Sequence, residues 1–213
     1  MIVRVEEHVC VDSKKKLHPR ETLALKKKRK RQREEFIAGR CAIKKLSARN
    51  LHLPFEALCV INSYDDENRG KPILLAKGLP VRQNISISHD DGMVMVAISE
   101  KDIGVDVLKL RELPIAYHCL SSDPQMKRQE HSFINCMAWA IREAFVKALG
   151  VGFRWGVNSV AIEQLLLDSG TVIMNVSHDL AKQFRYGIPD IHFAYDYLEG
   201  YIFLVCYIKN KIQ

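Results

Sequence analysis

No apolar run in this chain approaches the roughly 20 residues that a membrane span requires. The longest candidate, "GYIFLVCYI", reads as a buried strand. The N-terminus lacks the apolar stretch of a secretory signal, which implies an intracellular, cytoplasmic protein. No two cysteines form a C-x-x-C pair. Cys10, Cys41, Cys59, Cys119, Cys136 and Cys206 sit mostly in apolar surroundings and read as reduced packing residues, neither a disulfide framework nor a zinc site. No His/Cys cluster has zinc-ligand spacing. The main basic run, "KKKRKRQR" (Lys26 to Arg33), has no interleaved aromatics, which argues against a stacking platform for single-stranded nucleic acid.

Apolar material is not scarce. Of 213 residues, 47% are hydrophobic and 27% charged, enough for a core in one domain or two small ones. The net charge of +7 favours an acidic partner: nucleic acid, a phosphorylated cofactor or an acidic protein. The 26–33 run reads as a solvated helix face, with a localisation signal or a nucleic-acid contact as the other readings.

Two halves of the sequence share an order. The first contains "REEFIAGRCAIKKL" (33–46), "GKPILLA" (70–76) and "ISISHDDGMVMVAIS" (85–99). The second contains "REAFVKALGVGF" (142–153), "GTVIMNV" (170–176) and "IHFAYDYLEGYIFLVCYI" (191–208). Each reads as a helix opening on Arg-Glu-x-Phe, a glycine-led strand and a hairpin of alternating strands. The pattern predicts a pseudo-duplicated α+β fold, with subdomains 1–101 and 102–213 and the active site in the cleft between them.

"DIGVDVLKL" (102–110) reads as a strand in which Ile103, Val105 and Val107 share one face and Asp106 takes the other. Asp106 is either an edge carboxylate facing water or a paired or metal-bound one, because burying it alone is costly. In "WAIREAFVKALGVGF" (139–153), apolar residues at i, i+3, i+4 and i+7 predict a helix that ends at Gly150. Glu143 and Lys147 then share a face, as a surface ion pair or as something more. Asp106 and Glu143 on separate elements suit a hard ion such as Mg²⁺, which completes its shell with phosphate and water. Lys147 would face the same phosphates, and His89 and Lys71 could hold other phosphate oxygens. Trp139, Trp155, His178 and His192 are assigned to packing.

"GVDVLK", "WAIREAFVKALGVGF" and "ISISHDD" resemble the three signature stretches of the 4′-phosphopantetheinyl transferases, in particular the pseudo-duplicated surfactin-synthetase type. "AGRCAIKKL" and Leu108 are similar to its animal branch. The resemblance runs from about Ala38 to Gly156, and more weakly to Ile208. It implies a monomeric enzyme that moves the phosphopantetheine arm of coenzyme A onto a serine of an acidic carrier-protein domain. Adenosine 3′,5′-bisphosphate leaves. It further implies Asp106 and Glu143 as Mg²⁺ ligands and Glu143 as base for the serine, directly or through water. Lys147 would neutralise or protonate the phosphates. Ser86, Ser88 and His89 would contact phosphates, and Arg69, Gly70 and Lys71 the nucleotide end.

Arg20 and Lys26 to Lys28 are the candidates for the 3′-phosphate, and Lys44, Lys45 and Arg49 for carrier docking. Three departures stand out. Leu108 replaces a third acid, so water would fill that metal position. Asp90 follows His89, where a carboxylate must point away from phosphate or meet the metal. Ala194-Tyr195 replaces the second "SH", so only one pseudo-symmetric site is expected. The alternatives are a nucleic-acid binder using 26–33, or an inactive carrier-protein-binding relative.

Overall fold

A computed structural model describes residues 1–4, 17–25, 28–63, 70–114, 128–152, 154, 156–166, 171–182 and 190–209. Among them the chain is mixed α+β, with small antiparallel sheets. The strands are β1 (Ile2–Arg4), β2 (Leu58–Asn62), β3 (Pro72–Ala76), β4 (Leu79–Pro80), β5 (Asn84–Asp90), β6 (Met93–Ser99), β7 (Ile103–Lys109), β8 (Val160–Leu166), β9 (Thr171–Val176), β10 (Asp190–Leu198) and β11 (Tyr201–Lys209). The helices are α1 (Pro19–Leu25), α2 (Lys30–Leu51), α3 (Arg128–Leu149) and α4 (His178–Ala181). A long helix, an antiparallel pair and a hairpin occur in that order twice: α2, β2–β3, β5–β6, then α3, β8–β9, β10–β11. Arg-Glu-x-Phe does not mark equivalent places. It lies in the first two turns of α2 but in the last third of α3, whose helix starts at Arg128 and not at Arg142.

Helix α2 buries Ile37, Ala38, Cys41 and Ala42 at helical spacing. Ala38, Ala42 and Ile43 meet Leu58, Leu74, Ile85 and Val94 in one core. Helix α3 ends at Leu149, with Gly150 at φ 76°, as its sequence predicts. Its Met137, Ile141, Ala144 and Phe145 join Leu108, Ile202 and Leu204 in a second core. A smaller cluster of Met95, Val105, Val107 and Phe203 joins β6 to β7 and β11.

Strand β7 is central to the site. It pairs with β11, and its alternation buries both faces. Val105 and Val107 pack toward β6, whereas Gly104, Asp106 and Leu108 face α3. A Cβ on Gly104 would lie 1.8 Å from the Ala144 carbonyl oxygen, so the missing side chain lets helix and strand touch at the backbone.

The other edge of β7 is joined to β5 by side chains. Ser86 Oγ accepts from Val105 N at 3.0 Å, Ser88 Oγ donates to Asp106 at 2.7 Å, and Asp90 accepts from Lys109 N at 2.8 Å. Residues i, i+2 and i+4 of one strand share a face, so "SISHD" lays three polar groups along that edge. Ser86 and Asp90 satisfy amides there that a backbone ladder would otherwise pair, while Ser88 serves the Asp106 carboxylate.

Two other expectations change. Lys44 is not on a docking surface: it is 1% exposed, 3.2 Å from Glu21 and 4.3 Å from the Phe55 ring centroid. Glu21 also accepts from His18 N and Val60 N, so the pair ties α1 to α2 and β2. Both charges avoid the cost of isolation because each has several partners. His178 is exposed at the start of α4 and does not pack, while His192 stacks on Tyr207 at 5.0 Å. Cys41, Cys59, Cys136 and Cys206 are buried and outside any disulfide, and burial pushes Cys206 up to about 12. Cys10, Cys119 and Trp155 lie outside the described residues. No helix among those described is long and apolar enough to cross a membrane.

Candidate active site

Asp106 is 4% exposed, so it is not an edge carboxylate facing water. Its Oδ1 accepts from Lys147 Nζ and from Ser88 Oγ, each at 2.7 Å. Lys147 Nζ also donates to Ser88 Oγ at 3.0 Å and lies 3.5 Å from Glu143 Oε2. The helical i,i+4 pair therefore exists, but the shorter contact of Lys147 is to the strand. Three side chains, from β5, β7 and α3, converge on one ammonium. The close approach at Gly104 makes this possible: Ala144 and Ala148, which meet Gly104, flank Lys147 on α3, and Gly104 shares a strand face with Asp106.

Burial raises the Glu143 pKa; Lys147 opposes that rise and Asp106 adds to it. Burial would lower the Lys147 pKa, but the attraction of Asp106 and Glu143 outweighs it and holds the ammonium above its ordinary value. The site is thus an acid pair bridged by one lysine, with the more open carboxylate shifted upward by burial. Among the described residues no group of three or more His, Cys, Asp or Glu could hold a metal. Two carboxylates alone do not suit zinc. They do suit a hard divalent ion that takes its other ligands from phosphate and water.

His89 lies on the other face of β5, beside α2. Its Nδ1 is 3.1 Å from Glu35 Oε2. Burial lowers its pKa, Glu35 raises it, and Lys147 and Lys28 lower it further, so the ring favours its neutral form. Arg31 Nε donates to Glu35 at 3.3 Å, and Arg31 Nη2 donates to Asp91 at 2.5 Å. Lys109 also pairs with Asp91, and Tyr201 Oη donates to the Asp91 carbonyl at 2.8 Å. Arg111 holds Asp90 at 2.6 Å, turned from Lys147 toward the end of β7. The basic segment is engaged as well, since Arg31 is paired twice and Arg33 donates to the Lys28 carbonyl at 2.7 Å.

No protein-family model matches this chain. Its sequence is 29% identical over 156 residues to the L-aminoadipate-semialdehyde dehydrogenase-phosphopantetheinyl transferase of Rattus norvegicus, covering 64% of this chain and 49% of that protein. It is 26% identical over 137 residues to the 4′-phosphopantetheinyl transferase psf-1 of Bacillus pumilus, covering 58% and 53%. For the 4′-phosphopantetheinyl transferase gsp of Aneurinibacillus migulanus the values are 28% over 138 residues, 60% and 53%. The chain is homologous to the 4′-phosphopantetheinyl transferases. It spans about half the length of the curated relatives it matches.

Set against the phosphopantetheinyl-transferase signatures, the structure unites Asp106, Glu143, Lys147 and Ser88. Ser86 is 3% exposed and engages β7. Lys71 stands apart from this group, in a cavity of about 230 Å³ lined also by Ser63, Arg82, Gln83 and Asn84. Gly70 precedes it at the mouth of the β2–β3 connection, where Ser63 N donates to the Lys71 carbonyl at 2.8 Å. Arg69, Lys26 and Lys27 lie outside the described residues. Arg20 is exposed on α1, and Lys28 is close enough to act on His89. Sequence reasoning assigned no role to Gly104 itself or to Glu35. A glycine inside an apolar strand, two residues before an acid, was a usable signal for Gly104. Glu35 and His89 are 54 residues apart, and no local pattern links them.

Proposed function

We propose that this chain transfers the 4′-phosphopantetheine arm of coenzyme A to a serine of an acidic carrier-protein domain, releasing adenosine 3′,5′-bisphosphate. The observation that supports this most is the meeting of Asp106, Glu143 and Lys147 from the two stretches that resemble the transferase signatures. We read the repeated helix–pair–hairpin order as two subdomains, 1–101 and 102–213, with the site where β5 meets β7 and α3.

Asp106 and Glu143 would hold Mg²⁺, which when bound supplies positive charge against the coenzyme A pyrophosphate. Glu143 takes the proton of the carrier serine, directly or through one water. The serine oxygen forms a bond to the β-phosphorus, and the bond to the bridging oxygen breaks. Lys147 donates to the phosphate oxygens, neutralising or protonating the leaving phosphate. Ser88, already bonded to Lys147 and Asp106, keeps both aimed at one point. His89 and Lys28 meet further phosphate charge, and Lys71 with Arg69 and Gly70 meets the nucleotide end. Both principal acids are in place, which favours an active enzyme over an inactive relative. Incubating the protein with an apo carrier protein, coenzyme A and Mg²⁺ should add the mass of one phosphopantetheine arm to the carrier; an unchanged carrier mass across acyl, peptidyl and aminoadipate-reductase types would reject the reading.

Lys147→Ala should lower turnover by about 10²–10³-fold, since it removes a donor from developing phosphate charge. Lys147→Arg should recover only part, because Arg is broader and holds its proton. Lys147 depresses the Glu143 pKa, so its removal lets that pKa rise further. The base-dependent limb of the pH–rate profile should therefore move to higher pH in Lys147→Ala. An unmoved limb would remove Glu143 as the base.

Carrier docking gives a separate expectation. With +7 net charge, association with an acidic carrier helix should weaken as salt shortens the Debye length from about 10 Å at 0.1 M to about 3 Å at 1 M. At saturating coenzyme A, the KM for the carrier should rise with salt more than the KM for a small pantetheine acceptor. Lys45 and exposed Arg49 remain on the proposed surface; Lys44 does not. Equal salt effects on both acceptors would make recognition apolar.

A further inference from the structure

We propose that Glu35 is a positioning residue for His89: its Oε2 accepts the Nδ1 proton and so turns Nε2 toward the phosphates of the bound donor. This deepens, and rests on, the proposed transfer reaction. His89 Nδ1 and Glu35 Oε2 lie 3.1 Å apart, a separation that a carboxylate–imidazole hydrogen bond can span. The burial is unequal in an informative direction. The Glu35 side chain is 10% exposed and the His89 side chain 45%, so the carboxylate is the fixed member and the ring presents its far edge outward.

The other carboxylate oxygen, Oε1, accepts from Arg31, which leaves Oε2 to serve His89 alone among the described residues. Rigid elements hold both partners. Glu35 sits within α2, and β5 is packed on α2 through Gly39 and Ile87, where a Cβ on the glycine would be 3.1 Å from Ile87 Cγ2.

One carboxylate contact decides which nitrogen is available. A neutral imidazole has a single N–H, and committing it to Glu35 leaves Nε2 with its lone pair. Charged groups on the surrounding elements act on the ring: Glu35 on α2, Lys28 ahead of it, Asp90 on β5 and, from across the strand, Lys147 on α3. Burial with Lys28 and Lys147 keeps the empty ring neutral, against Glu35 and Asp90. When phosphates arrive they offset the lysine charge. Nε2 then takes one proton from solvent, becomes a donor to a phosphate oxygen, and Glu35 supports the resulting imidazolium from behind.

The test uses ring ¹⁵N NMR of the whole protein, with the His89 signals assigned by their loss in His89→Gln. Wild type should show Nδ1 protonated and Nε2 unprotonated at neutral pH without ligand. Glu35→Gln should lose this preference and titrate at lower pH, because the charge that favoured the imidazolium is gone. In transfer assays Glu35→Gln should raise the KM for coenzyme A about tenfold, the scale of one charge-assisted hydrogen bond, with less change in kcat. Glu35→Asp, with the charge kept on a shorter arm, should recover part. In a His89→Gln background, Glu35→Gln should add nothing. An unchanged ring tautomer in folded Glu35→Gln, or losses that multiply in the double variant, would overturn the proposal. A wild type with the expected tautomer but no transfer to any carrier would instead sink the transferase reading.

Discussion

Asp106→Asn should lose phosphopantetheine transfer by about 10²–10³-fold while the protein stays folded. The expectation follows from what Asn keeps and what it lacks. Its volume matches, and its side-chain oxygen can still accept from Ser88 Oγ, which now donates at 2.7 Å. Lys147 keeps Ser88 Oγ at 3.0 Å and Glu143 at 3.5 Å, and the lysine side chain is 26% exposed, so its charge is not stranded. What disappears is one of the two carboxylates that neutralise Lys147 and that would hold a divalent cation. Turnover by carrier mass, read beside thermal unfolding, separates the two effects. A folded Asp106→Asn protein with wild-type turnover would take Asp106 out of the site. Glu143→Gln should lose transfer as well, because it removes both a ligand and the proposed base.

Gly104→Ala should prevent stable folding altogether. The added methyl would sit 1.8 Å from the Ala144 carbonyl oxygen and 2.6 Å from Ala148 N, both backbone atoms of α3. No rotamer change relieves that overlap, so the helix must move off β7. That move would open the core formed by Leu108, Ile141, Ala144 and Leu204 and carry Glu143 and Lys147 away from Asp106. We expect a loss above about 4 kcal/mol, the range that marks a severe packing conflict. Gly39→Ala is the control. There the neighbour is the Ile87 methyl at 3.1 Å, a side-chain atom that can yield, and removing a mid-helix glycine offsets the crowding, so stability should stay within about 1 kcal/mol of wild type. Equal unfolding midpoints for Gly104→Ala and wild type would show that the strand–helix contact is not a requirement.

Sequence pattern made the long elements legible because they bury one face. The 3.6-residue spacing in 134–148 located the C-terminal stretch and the end of α3. Alternation in 103–107 located β7 and put Asp106 opposite Val105 and Val107. The beginning of α3 was less legible, since its earlier turns extend well beyond the motif. Lys44 was misplaced for a related reason. In "AIKKL" a lysine reads as solvent-facing, and only the arrival of Glu21 and Phe55 from other elements makes its burial tolerable.

The sequence by itself determined which chemical groups this protein can bring to a site: acids at 106 and 143, a lysine one turn beyond the second, and a histidine closing a polar-edged strand. Periodicity follows from backbone geometry, so it assigns residues to faces without knowledge of the neighbours. Tertiary structure decided who those neighbours are. It gave Lys147 to Asp106 more closely than to Glu143, turned Ser86, Ser88 and Asp90 into the seam between β5 and β7, and set Glu35 behind His89. Apart from the Lys147–Glu143 pair, those contacts join residues from 18 to 54 positions apart. They depend on how closely α2, α3, β5 and β7 can pack, and at Gly104 that distance is set by one absent methyl group.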